Sequence, residues 1–292
     1  MRQTPAAHEA PLPFGARLSA AMDTHGPLCA GIDPHRALVE RWGLPYTISG
    51  LERFTLTCVE AFAGTVAAVK PQSAFFEVFG ARGIALLERA TEELRAAGTI
   101  VVLDVKRGDI GTTMEAYAAA FLADDAPAPV DAITVNPYLG YGSLRPAIDL
   151  ALATGRGVFA LALTSNPDGP AVQHAQRDGR SVAGHVVDGV TGDNSAAAAA
   201  GELGSIGLVI GATVGSAVGD LGLDLVAANA PLLAPGFGAQ GATASDAEQV
   251  FGPARRQVLA ASSRDVLQAG PEVAALRARA AAVGEALATV LR

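Results

Sequence analysis

Of the 21 basic residues in the sequence only two, Lys70 and Lys106, are lysines. Each ends a strongly β-like run, TVAAVK from 65 to 70 and TIVVLDVK from 99 to 106. A lysine there offers a compact ammonium whose pKa responds to its neighbours, which a guanidinium does not. Carboxylates accompany both. Asp104 lies just before Lys106 and Asp109 just after it in VVLDVKRGDIGTT, while Asp33 closes the earlier run LCAGID. Strand alternation turns Asp104 and Lys106 to one side and Val105 to the other. Charges in so apolar a strand are costly unless paired. A structural Asp–Lys pair is one reading. The other is an alternating array of lysine, aspartate, lysine and aspartate, in which each charge supports its neighbours' ionisation. Such an array keeps both ammoniums protonated and holds a carboxylate beside an incoming anion.

A second group of residues suits an anion. Gly236, Gly238 and Gly241 surround Gln240, and Ser263-Arg264 follows the run RQVLAAS. Glycine frees backbone amides to cradle oxygens, and arginine adds a fork of donors. Taken alone, the pattern also fits a glycine-rich turn beside a surface arginine. The segment IGATVG from 210 to 215 could pass for another phosphate loop, but reads mainly as a strand and its turn. His8, His25, His35, His174 and His185 are scattered in no zinc-like or triad pattern, and Cys29 and Cys58 read as buried thiols.

Eight runs supply the elements that must position these groups: 28–33, 65–70, 99–106, 130–135, 157–163, 206–211, 231–236 and 256–262. They alternate little and are separated by alanine-, leucine- and glutamate-rich stretches such as ARGIALLERATEELRAAG, 81–98. Parallel strands covered on both faces have this pattern. Eight such units predict one (β/α)8 barrel, with the charged groups at the C-terminal strand ends and the anion site in the loops after strands seven and eight. A doubly wound open sheet is the structural alternative, but GIDPHR stands where its G-x-G-x-x-G turn would follow the first strand. FGARLSAAMDTH, 14–25, predicts a helix closing the barrel's bottom, and PEVAALRARAAAVGEALATVL an outer helix after the last strand, so residues 1–292 read as one catalytic domain. Thr112 to Glu115 resembles a capping box. The stretch from Thr164 to Ser205 reads as an extended βα loop with an insertion, then a helix; its length suggests an active-site flap or an interface element.

Net charge is -8 and no basic cluster exceeds a pair such as Arg255-Arg256, which argues against a nucleic-acid groove. No apolar run is long enough to span a bilayer. The first residues, MRQTPAAHEAPLPFG, lack the apolar core of a secretory signal, so a soluble, cytoplasmic protein is expected.

With these residues in view, the sequence resembles the orotidine 5'-phosphate decarboxylase family. The resemblance rests on Asp104-x-Lys106-x-x-Asp109-Ile110-x-x-Thr113, Gly31-Ile32-Asp33-Pro34, Val69-Lys70-Pro71 and Pro235-Gly236-x-Gly238-x-Gln240-Gly241. Gly108, Asn136-Pro137-Tyr138 and Leu163-Thr164-Ser165-Asn166-Pro167 point to the family's longer bacterial branch. The resemblance implies decarboxylation of orotidine 5'-monophosphate to uridine 5'-monophosphate (UMP) and CO2, in de novo pyrimidine synthesis, with no metal or organic cofactor. It makes Lys106 the proton donor to C6, Asp104 the neighbour of the departing carboxylate, Lys70 a bridge between carboxylates and ribose, and Asp33 a ribose ligand. It makes Gln240 and Arg264 phosphate ligands beside Gly238 and Gly241, and Ser165 the reader of the pyrimidine edge, with Thr164 and Asn166 as substitutes. Asp109 and Thr113 would reach the partner's site across a homodimer interface.

Two other readings share the barrel. Relatives acting on keto-sugar phosphates with magnesium would want further acidic ligands at neighbouring strand ends, where this sequence has Lys70. A catalytically silent barrel would be credible had Asp104 or Lys106 been replaced.

Overall fold

The computed structural model describes residues 12–237 and 241–292. Eight parallel strands close a barrel: β1 (Leu28–Ile32), β2 (Ala68–Pro71), β3 (Ile100–Arg107), β4 (Ala132–Val135), β5 (Gly157–Leu163), β6 (Ile206–Ile210), β7 (Leu232–Pro235) and β8 (Val258–Ser262). Each lies beside its neighbours in sequence, and β8 returns to β1 with Ala260 opposite Leu28. The open-sheet alternative is thereby set aside. All eight apolar runs become strands because their side chains are covered on both faces, by helices outside and by packed residues within. The run from 65 begins pairing only at Ala68, since the Thr65 hydroxyl donates back to the Ala61 and Phe62 carbonyls and ends the preceding helix, Ile48–Phe62.

The expected N-terminal helix, Phe14–His25, plugs the bottom of the barrel. Phe14, Leu18 and Met22 pack with Cys29, Val102, Phe159, Val209, Leu233 and Leu259 in a cluster separate from the larger core under the outer helices. Phe14 meets Phe159 edge to face, with ring centroids 5.8 Å apart. A Cβ on Gly157 would lie 2.3 Å from the Phe14 ring, so this strand start has room only for glycine. Arg17 fastens the helix from outside by donating to Asp131 Oδ1 at 2.5 Å and to the Gly155 carbonyl at 3.0 Å.

One expectation is corrected. The Thr112–Glu115 capping box does not form: the helix runs Gly111–Leu122, with Ile110 at the N-cap and no side-chain cap. A complete capping box is instead made by Thr243 and Asp246 on helix Ala244–Phe251. The stretch from Thr164 to Ser205 is, as expected, an insertion followed by helix. After a short helix, Gly169–Gln173, and a hairpin of two-residue strands within 176–181, it becomes the outer helices Val182–Asp193 and Ser195–Ala200. The insertion is therefore confined to 164–181. No helix among the described residues is long and apolar enough to cross a membrane.

Candidate active site

Strand β3 brings Asp104 to the barrel mouth with 6% of its surface exposed. Both carboxylate oxygens are doubly engaged. Oδ2 accepts from Lys70 Nζ at 2.9 Å and Gln72 Nε2 at 3.0 Å; Oδ1 accepts from Lys106 Nζ at 2.5 Å and the Thr134 hydroxyl at 2.8 Å. Burial opposes the Asp104 charge, but Lys70 and Lys106 together hold its pKa well below the usual carboxylate range. Burial likewise favours a neutral Lys70, yet Asp33 and Asp104 outweigh it and hold the ammonium above its ordinary pKa. The buried Asp104–Lys70 pair at the mouth is thus ionised on both partners.

Simple strand alternation does not explain how Lys106 reaches Asp104. The register of β3 against β4 shifts between Leu103, opposite Ile133, and Arg107, opposite Val135, and Lys106 has φ 44°. This bulge with a left-handed, non-glycine residue is unusual backbone, of the kind that persists only where surrounding contacts determine it. The Lys106 N–H donates to the Thr134 hydroxyl oxygen at 2.9 Å. Gly108 then passes so close to β4 that a Cβ would lie 2.3 Å from the Asn136 carbonyl oxygen, which accounts for the glycine after Arg107.

Two cavities meet at Pro235 on either side of this array. One, of about 400 Å³, is lined by Lys106, Asn136, Thr164, Ser165, Asn166 and Gln173 among others. The other, of about 160 Å³, is lined by Asp33, Lys70, Gly236, Phe237, Ser263 and Arg264 among others. Asp33 Oδ1 is buried there without a hydrogen-bond partner among the described residues, although an ionised carboxylate would accept several bonds. Arg264 begins the short helix Arg264–Leu267 after β8 with its side chain exposed. Gly241 is exposed with φ 79°, while Gly238 and Gln240 lie outside the described residues.

In the larger cavity Gln173 clamps Thr164, accepting from its N–H at 2.9 Å and donating to its hydroxyl at 2.6 Å. The Thr164 hydroxyl donates to Asn166 Oδ1 at 2.7 Å. Ser165 is the one of the three whose side chain these bonds leave unengaged. Asp109 stands apart from the Asp104 network, its Oδ1 accepting from Ile110 N at 2.8 Å, and Thr113 is exposed on the first turn of helix Gly111–Leu122. Ile110, next to Asp109 in sequence, is 62% exposed, and Tyr138 and Leu139 after β4 are 75% and 53% exposed.

Gln72, Thr134 and Gln173 were not singled out from the sequence. Gln72, just after Lys70-Pro71, and Thr134, the polar residue of AITV, carried a faint signal as polar side chains at apolar strand ends. Gln173, in the irregular insertion, carried none. Among the described residues no three His, Cys, Asp or Glu side chains converge as a metal-ligand set.

The family model for orotidine 5'-phosphate decarboxylase / HUMPS matches residues 26–279. The chain belongs to this family. The orotidine 5'-phosphate decarboxylase of Streptomyces coelicolor is 58% identical over 272 residues, 92% of this chain and 94% of that one. That of Salinispora arenicola is 59% identical over 268 residues, covering 91% of this chain and 94% of its own. Among solved structures, a candidate orotidine 5'-phosphate decarboxylase from Streptomyces avermitilis is 54% identical and superposes with a TM-score of 0.91, covering 97% of both chains. The orotidine monophosphate decarboxylase of Leishmania donovani is 28% identical, with a TM-score of 0.69 and 96% and 98% coverage. These relatives share the barrel that carries the Lys70, Asp104 and Lys106 cluster here.

Proposed function

We propose that this chain is an orotidine 5'-monophosphate decarboxylase, converting its substrate to UMP and CO2 in de novo pyrimidine synthesis, and that Lys106, Asp104, Lys70 and Asp109 carry the chemistry without a cofactor. The observation that carries this reading is the buried Asp104 carboxylate held between Lys70 and Lys106, with the Lys106 side chain 46% exposed toward the larger cavity. In this reading one barrel domain, residues 1–292, works in the cytoplasm.

The bond from C6 to the carboxylate breaks heterolytically. Carbon dioxide leaves, the electron pair stays on C6, and the Lys106 ammonium gives that carbon a proton before being recharged from solvent. A fixed ammonium acts most where charge develops, and C6 is otherwise a poor carbanion. Asp104 faces the substrate carboxylate and loses that repulsion as neutral CO2 departs. Lys70 bridges Asp104 to the ribose, and the Asp33 oxygen without a partner among the described residues accepts from a ribose hydroxyl. The smaller cavity suits the phosphate, taken by Arg264 with Gln240 and the amides near Gly238 and Gly241. The larger one takes the pyrimidine, read by the free Ser165 hydroxyl rather than by the occupied Thr164 or Asn166.

Asp109 and Thr113 act in the site of a second copy. This is supported by their separation from the Asp104 network and by the exposed apolar Ile110 beside Asp109, suited to a homodimer contact.

The test is loss of orotidine 5'-monophosphate absorbance with chelator-treated protein, run beside Lys106→Ala. Wild type should convert the substrate to UMP, and the variant should lose about a thousandfold or more. No conversion by folded wild type would overturn the reading and favour a keto-sugar phosphate with added magnesium.

A further inference from the structure

We infer that Thr134 is a positioning residue for this reaction, acting through Lys106 and Asp104 without touching substrate. The inference rests on the reading of Lys106 as proton donor. Thr134 lies on β4 with 1% of its surface exposed. Its hydroxyl is within 2.8 Å of Asp104 Oδ1 and 2.9 Å of Lys106 N.

Chemistry fixes the direction of both bonds. An ionised carboxylate only accepts and a backbone N–H only donates, so the single hydroxyl proton goes to Asp104 and an oxygen lone pair receives the Lys106 N–H. One side chain thereby ties the main chain of the proposed proton donor to the carboxylate that its own ammonium contacts at 2.5 Å. The tie falls on Lys106 itself, the left-handed residue in the bulge between Leu103 and Arg107. Left-handed backbone is disfavoured for a lysine, and leaving this part-buried N–H unpaired would add to the cost. The Thr134 oxygen supplies the partner that holds Lys106 in this conformation. Without it the bulge can relax toward ordinary strand geometry, carrying the ammonium away from its place over the reacting carbon. Such a shift acts on the chemical step, because a misplacement of about 1 Å can cost on the order of a hundredfold in rate.

Phosphate and ribose are proposed to bind in the other cavity, which Thr134 does not line. Ground-state affinity should therefore survive. Thr134→Val keeps the shape and removes both bonds; Thr134→Ser keeps both bonds and removes only the methyl group. The variants are compared with wild type for kcat, for KM, for inhibition by UMP and for thermal unfolding. Thr134→Val should lower kcat about 10- to 100-fold, with KM and UMP inhibition within about threefold, and Thr134→Ser should restore kcat to within about threefold of wild type. Wild-type kcat in Thr134→Val, parallel loss of kcat and UMP affinity, or a Ser variant as slow as Val would each overturn the inference. Should Thr134→Val fail to fold, Thr134→Ala replaces it in the comparison with Ser. Absence of turnover in wild type would instead sink the decarboxylase reading, so the two failures are distinguishable.

Discussion

An ammonium beside a carboxylate is useful to catalysis only while both remain charged, and the two shifts around Asp104 bear directly on pH. Asp104 is held below its usual range, so its contribution to stability is complete above the unfolded value of about 3.9 and is lost as pH falls through the lower folded value. Lys70 is held above its ordinary range, so its contribution is complete below about 10.4 and is lost as pH rises through the higher folded value. Between about pH 5 and 9 neither group titrates, and kcat should show no limb belonging to either. Lys70→Gln should move an acidic limb upward in whatever activity remains, because Asp104 loses its largest neutralising charge, and should destabilise the fold by about 3 kcal/mol in urea unfolding. A profile in Lys70→Gln that keeps the wild-type acidic side would contradict this account. Much of the array was legible in the sequence, because charges in an apolar run require partners. Thr134 was not, since threonine is ordinary in strands and only the fold shows its hydroxyl between Asp104 and Lys106. The left-handed Lys106 was hidden too, being fixed by the bulge against β4 rather than by any local preference of lysine.

Among the elements, the barrel strands could be read because uninterrupted apolar runs have few other uses in a chain that alternates with helices. The bounds of the outer helix Val182–Asp193, expected only as a helix somewhere after the insertion, could not, because Gly184 and Gly189 weaken its helical signature. Packing selects those glycines: a Cβ would meet the Arg180 guanidinium at 2.5 Å on Gly184 and the Tyr141 ring at 2.3 Å on Gly189. Helix Gly111–Leu122 begins before the expected Thr112, just after Asp109 accepts from Ile110 N. The bottom helix gives a sharper test of packing at this scale. Gly157→Ala forces a methyl group into the Phe14 ring and should cost about 1 to 3 kcal/mol in urea unfolding. Because Gly157 begins β5, far along the strand from the mouth, kcat should stay within about twofold of wild type. A fall in kcat as large as the loss of stability would mean that the plug and the mouth are coupled.

At the scale of the whole molecule, the proposed role of Asp109 in a second copy would leave the site incomplete in one chain. Lys70, Asp104 and Lys106 converge within one chain, while among the described residues Asp109 bonds only its own backbone neighbour and lies beside exposed Ile110. If Asp109 serves the second copy, Lys106→Ala and Asp109→Ala damage different halves of each site. Each variant alone should be nearly inactive. When the two are unfolded together and refolded as a mixture, half of the dimers are mixed and each has one intact site of two, so activity should recover to roughly a quarter of wild type. Recovery should disappear when both variants also carry Ile110→Asp, which places a charge in the proposed apolar contact and should leave monomers by analytical ultracentrifugation. A mixture no more active than its parts would put Asp109 back in its own chain, and the barrel would then have to bring it to Lys106 by moving the loop between β3 and the following helix.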